Sequence, residues 1–210
     1  MLGLILATQL VAGTYTYKAT LGGASVGTST LTVKNVGDST EIDEQVTGTI
    51  SGTTASANDT LILGADLAPL RYHMDAVQDG SPLKDSARVD DATASVTDVH
   101  GQNSSFDLQA SEKHFVIADF GFFAGLLPLP AQMHAWNDTP FLVVVPAIAR
   151  SAMLAPEANA IADRPAGVPA ADVAISFTGE TPFTIWYDPT TLVPDEIDVT
   201  AQGLIVTRER

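Results

Sequence analysis

The chain has no cysteine among its 210 residues. Disulfides, thiolate zinc sites and thiol catalysis are therefore excluded. Positive charge is scarce: 10 Lys and Arg face 25 Asp and Glu, a formal net charge of −15. Such a balance repels phosphate backbones, so nucleic acid is not an expected partner. The acids are dispersed rather than gathered into a tail, as on a solvated surface. Long apolar runs are absent too. "FLVVVPAIA", residues 141–149, contains Pro146 and falls well short of the ~20 residues of a membrane helix, so no transmembrane span is expected.

Catalytic and metal-binding motifs are missing as well. There is no Gly-x-Ser-x-Gly elbow for a hydrolase nucleophile. His73, His100, His114 and His134 show no metal-ligand spacing. The acids from Asp79 to Asp85 lack the turn glycine and closing Glu of a calcium loop. Asp119-Phe120-Gly121 matches the kinase metal triplet, but the glycine-rich loop, strand lysine and catalytic Asp are absent. "LILGADLAPL", residues 61–70, is half of an aspartic-protease signature without its catalytic half. No catalytic residue, metal or cofactor is expected, and a hydrolase ranks last among the functional readings.

What the chain does have is alternation. Tyr15, Tyr17, Ala19 and Leu21 fall opposite Thr14, Thr16, Lys18 and Thr20; Ile42, Val46 and Ile50 fall opposite Glu41, Asp43, Gln45, Thr47 and Thr49. Leu70, Tyr72, Met74 and Ala76 alternate with Arg71, His73 and Asp75, which makes His73 and Asp75 a surface pair. Strands with one wet and one dry face belong to antiparallel sheets. Gly22-Gly23, Gly37-Asp38, Ser51-Gly52, Asp79-Gly80 and Asp188-Pro189 supply turns at short intervals, predicting a meander of hairpins. In the closing hairpin, Phe183, Ile185 and Tyr187 should oppose Thr184 and Trp186, with Ile197 and Val199 turned away from Glu196, Asp198 and Thr200. Leu67-x-Pro69 and Leu192-x-Pro194 each lead into an alternating strand, an echo that predicts a repeated turn. The stretch from Arg150 to Ala171 reads as a connection with little regular structure.

Several segments together resemble a known family. They are Tyr15 and Tyr17 before the glycine hairpin, "TLILGADLAPLRY", "DFGFFAGLLPL" and the closing "FTIWYDPTTLVPDEIDVTAQGLIVTRE". The chain from about residue 14 to 209 resembles exported bacterial domains of unknown function, whose fold is similar to the half-barrel of the lipoprotein carriers of the Lol system; Thr184 to Arg208 is the most specific part. The resemblance implies an antiparallel sheet curled around an apolar groove with short helices over its mouth, and it implies no known activity.

The expected fold is therefore all-β and mainly antiparallel: a curled sheet or open half-barrel, one domain over 14–210, with one or two short apolar helices against its concave face. The segment after Asp119 is the key helix candidate. Asp119 would cap a helix from Phe120 to Leu127, and Pro128 would end it. Phe120, Phe122, Phe123, Leu126 and Leu127 cover nearly all its sides, as in a buried helix. Two readings follow: a plug completing the core, or a movable lip over a ligand groove. Tyr15, Tyr17, Phe120, Phe122, Phe123, Leu126 and Leu127 are the candidate ligand-binding residues.

Residues 1–13, "MLGLILATQLVAG", read as a signal-peptide remnant with a small-residue cleavage pattern, or alternatively as a first strand. Thr14 stands where a lipid-modified cysteine would be, so the expected location is periplasmic or secreted without a lipid anchor. The leading functional expectation is a non-enzymatic envelope protein that binds or carries a hydrophobic small molecule, a lipid or an acylated partner. The alternative is a structural or assembly protein that contacts another envelope protein through a sheet edge or the apolar helix.

Overall fold

A computed structural model describes residues 10–50, 53–108, 114–119, 123–157 and 163–210. The described residues are mostly strand, arranged in one open sheet. Its first wing is a meander of β1 (Gly13–Leu21), β2 (Ala24–Val36), β3 (Ser39–Ile50), β4 (Thr53–Leu63), β5 (Pro69–Gln78), β6 (Ser81–Asp90), β7 (Thr93–Thr97) and β8 (Asn103–Asp107). The second wing holds β9 (Phe115–Ile117), helix α1 (Leu129–Trp136), β10 (Phe141–Val145), β11 (Arg150–Pro156), β12 (Val173–Thr178), β13 (Phe183–Tyr187), β14 (Pro194–Val199) and β15 (Leu204–Glu209). Within each wing every strand pairs with its sequence neighbour, and β1 pairs with β15 to join the wings, leaving β8 and β9 as the outer strands. The pairing is antiparallel except between β9 and β10. The curled, mainly antiparallel sheet anticipated from alternation is thus the fold.

Turn chemistry sets the hairpins. Asp79 and Gly80 have φ of 47° and 79°, the left-handed pair that a two-residue hairpin needs to match strand twist. The Leu-x-Pro echo is also geometric. Leu67 and Leu192 both adopt left-handed backbone, with φ of 63° and 59°, a rare state for a bulky side chain. Their N–H groups close turns onto carbonyls just upstream, that of Gly64 three residues back for Leu67 and that of Asp188 four residues back for Leu192.

Inward-facing residues form rows across strands, because directly paired residues share a face. One row runs Val33, Ile42, Leu61, Tyr72, Ala87, Val96; another runs Ile175, Ile185, Ile197, Val206, Ala19. The second wing folds back over the first: β9 packs on β5, and the single helical turn Pro146–Ile148 packs on β6 and β7. From α1, an aromatic path of Trp136, Phe141, Phe177 and Phe183, with ring centres 4.7–6.1 Å apart, ties the cover to β12 and β13.

Three expectations are corrected. Of the helix expected over 120–127, the described part, Phe123 to Leu127, is a turn in which the Leu127 N–H reaches the Phe123 carbonyl, and helix α1 begins only at Leu129; 120–122 lie outside the described residues. Pro128 and Pro130 open the helix rather than ending it, since the first turn needs no N–H from them. Asp119 Oδ2 accepts the Ala147 N–H at 3.2 Å. Finally, Arg150–Pro156 is strand β11, whose alanines and terminal proline an edge-like partner tolerates because β12 pairs with it only at Ala155 and Pro156.

The closing hairpin alternates as expected, but neither of its faces is wet. Glu196 and Trp186, direct cross-strand partners, are both buried. Arg164 sits 4.7 Å over the Trp186 ring and donates to the Asp172 carbonyl at 2.8 Å. At the other end of the chain, Leu10 is buried and its carbonyl accepts from Asn35, so the packed unit includes Leu10. Leu4 and Leu6 lie outside the described residues.

Candidate functional site

The covered face of the first wing carries more than apolar side chains. The row Leu31, Glu44, Asp59, Met74, Asp85 crosses β2 to β6, and it places three carboxyls inward. Their relative exposures are 1% for Glu44, 3% for Asp59 and 2% for Asp85. Asp119, on the segment leaving β9, closes the group from above and stands against Asp85. Acids this deeply buried are rare unless paired.

Each carboxyl is handled differently. Glu44 Oε2 accepts the N–H groups of Phe123 at 2.8 Å and Ala124 at 2.7 Å; its Oε1 accepts from the Ser29 hydroxyl. Burial pushes its pKa up to about 7, against the pull of those three donors. Asp59 has no such donors: neither oxygen completes a hydrogen bond among the described residues. Burial, then the Glu44 charge, pushes it up to about 9, with the neighbouring Tyr72 hydroxyl opposing. Asp85 is likewise pushed up to about 9, by burial and then by Asp119. At neutral pH, Asp59 and Asp85 therefore hold their protons and can donate hydrogen bonds. The Tyr72 hydroxyl is buried among these acids and also lacks a hydrogen-bond partner; burial first, then Asp59, raises its pKa far above the usual phenol value.

The segment over this floor is apolar. Phe123, Ala124 and Leu127 are buried, as are Leu129, Ala131, Met133 and Trp136 of α1. Gly125 passes so close to β9 that a Cβ there would stand 2.0 Å from the Ile117 carbonyl oxygen, so only glycine fits. Gln132 pins α1 to the first wing by donating to the Leu67 carbonyl at 2.8 Å.

The expected site residues divide accordingly. Tyr17, Phe123 and Leu127 are buried in one core, with Tyr15 and Leu126 packed half-exposed against it. Tyr17 donates to the Pro194 carbonyl at 2.9 Å, and Tyr15 donates to the Val11 carbonyl at 2.7 Å beneath the Arg208 guanidinium. Both tyrosines thus brace the junction of the wings. Phe120 and Phe122 lie outside the described residues. The carboxyl row was missed, yet its signal is periodic: Glu44 falls between Ile42 and Val46 in the alternation, Asp59 between Ala57 and Leu61, and Asp85 between Leu83 and Ala87. His73 and Asp75 form the anticipated surface pair at 2.9 Å. Among the described residues, no group of three or more His, Asp or Glu side chains is arranged to hold a metal ion, and no helix is long and apolar enough to cross a membrane.

A further buried acid, Asp195, is neutralised by Arg210 at 2.6 Å and Arg208 at 3.3 Å. It serves as a clasp between β14 and the end of the chain rather than as a reactive group.

No sequence-family profile matches the chain, and no curated protein matches it in sequence. Among solved structures, the fold is similar to a DUF1089 family protein from Pseudomonas aeruginosa. The two chains are 12% identical, with 83% of this chain and 90% of that chain covered, at a TM-score of 0.50. At that identity the likeness concerns the fold alone, and it sets this architecture beside that of an uncharacterised domain family.

Proposed function

We propose that the protein is an exported, non-enzymatic binding protein that takes an apolar molecule with a hydrogen-bonding head beneath the segment running from Phe123 through α1. The observation that carries this reading is the mismatch between cover and floor. An apolar segment closes over polar groups, Asp59 and Tyr72, that stand beside each other but complete no hydrogen bond of full geometry with each other or with any other described residue. Unsatisfied buried polar groups cost stability, and a ligand that brings an acceptor or hydroxyl to them would recover that cost. The cover brings the apolar contacts: Phe123, Leu127 and Met133 are buried against the sheet. Its first turn is held by the Glu44 carboxyl, which accepts the Phe123 and Ala124 N–H groups. Export rests on the apolar first 13 residues and on the resemblance described above. The assembly alternative has less support, since edge strand β8 bears Asn103, Ser105 and Asp107 on one face, and polar edges discourage pairing.

The test is native mass spectrometry of the protein extracted gently from producing cells, combined with uptake of an apolar fluorescent dye. A co-purified amphiphile, and dye uptake that Phe123→Ala alters while Arg150→Ala does not, are the expected results. Ligand-free protein that takes up no dye at any pH between 5 and 8 would overturn the reading.

A further inference from the structure

The opposite face of the same strands holds a second feature. Two adjacent cross-strand rows, Thr60–His73–Ser86–Thr97–Asn103 and Ile62–Arg71–Arg88–Ser95–Ser105, line an open cleft of about 640 Å³ across β4 to β8. That volume suits a small molecule. Its lining includes two arginines and no carboxylate, on a chain with 25 acids and 10 Lys and Arg; at its rim Asp75 holds the lining His73 at 2.9 Å and Asp43 accepts from the lining Thr60. Arg71 and Arg88 are direct cross-strand partners. Like charges placed so destabilise a sheet unless something neutralises them. Asp90 engages Arg88, at 3.0 Å from Nε and 3.0 Å from Nη2. Arg71 makes no ion pair and no side-chain hydrogen bond with any described residue, and it is exposed. Around the two guanidiniums stand the hydroxyls of Ser95, Thr97 and Ser105 and the amide of Asn103.

We propose that this cleft binds a phosphomonoester. Arg71 supplies the bidentate fork that matches phosphate oxygens, Arg88 adds the second positive charge, and the surrounding hydroxyls and amide bond the remaining oxygens and a hydroxylated body. The site lies on the far side of the sheet from Glu44 and the apolar cover, so it is independent of the ligand proposed above. A free sugar phosphate and a membrane phosphomonoester headgroup present the same chemistry.

The experiment is calorimetric titration of the full chain with inorganic phosphate, glucose 6-phosphate and glucose at fixed ionic strength, with cosedimentation on vesicles of phosphatidylcholine with and without phosphatidic acid. Binding of glucose 6-phosphate but not glucose, weakened about tenfold or more by Arg71→Ala and only partly restored by Arg71→Lys, is expected for a soluble ligand. Binding only to vesicles containing phosphatidic acid, with the same dependence on Arg71, assigns the site to a headgroup. Arg71 is exposed, so the variants should fold; equal melting temperatures check this. No binding to any of the probes, or binding that Arg71→Ala leaves unchanged, would overturn the proposal.

Discussion

The carboxylate of Glu44 holds the backbone N–H of Ala124 at 2.7 Å, across 80 residues of sequence. Through this contact a strand in the middle of the first wing fixes the start of the cover, with the adjacent Phe123 N–H on the same oxygen. Glu44→Gln keeps the shape but removes the charge from these bonds. Burial holds the Glu44 pKa up to about 7, so its contribution is complete at low pH and is lost as it ionises; the substitution should therefore cost most near pH 5. At pH 8 the native side chain carries a buried charge that Gln does not, and the difference should shrink. Urea melts at both pH values read this directly; an identical loss at each would mean that the charge contributes nothing.

Stability should fall as pH rises. In the unfolded chain Glu44, Asp59 and Asp85 release protons near their ordinary values of 4.5 and 3.8, whereas in the fold they hold them up to about 7 and about 9. Between those limits the folded state binds more protons, so deprotonation favours unfolding. Their contribution is complete below about pH 4 and is lost as pH climbs through 7 and then 9. Asp43, Asp75 and Asp188, whose pKa values are lowered, act below that window. The melting temperature should therefore be higher at pH 5 than at pH 9, and Asp59→Asn should flatten the slope. A rise in melting temperature from pH 5 to pH 9 would contradict the burial of these acids.

Gly125→Ala should loosen the cover. Both the Ile117 carbonyl oxygen, 2.0 Å from the added Cβ, and the Ala118 Cα, at 2.9 Å, are backbone atoms that cannot swing aside. Overpacking of this kind costs ~1–3 kcal/mol. Amide exchange at Phe123 and Ala124 should accelerate more than exchange in β2 or β3. Unchanged exchange at those two amides would show that the segment does not pass β9 so closely.

Arg164→Ala should expose one face of the closing hairpin. It removes the cation over Trp186 and the bonds to the Pro169 and Asp172 carbonyls, at a cost of ~1–3 kcal/mol. Arg164→Lys should recover only part of this, because an ammonium lacks the planar fork. Trp186 fluorescence should shift to the red in the Ala variant. Wild-type emission and stability would exclude the packing of residues 163–172 on β13.

Much of the fold was legible because strand patterning is local: Tyr72 and Met74 turn inward while Arg71 and His73 turn outward, as alternation requires. The helix was misplaced because a proline read as a stop also suits a start, and only tertiary packing decides between them. Glu196 looked wet because its strand's alternation does not reveal that its cross-strand partner Trp186 is itself buried under Arg164. The acids of the inner row were in phase with the core throughout, but a carboxyl in phase becomes meaningful only when three of them align between β3 and β6. That alignment depends on register, which no single strand encodes.

The first and last strands meet at the sheet's centre, with Thr16 opposite Glu209 and Leu21 opposite Leu204. A ribosome therefore finishes β1 through β8 long before β15 exists to pair with β1. Throughout that interval the nascent first wing has an unpaired edge at β1 and an apolar face still waiting for residues 115–149. Such intermediates are slow to mature and prone to associate. The half-made chain is accordingly the form that most needs a chaperone, and truncation near the C-terminus should cripple folding more than the loss of a few edge residues elsewhere.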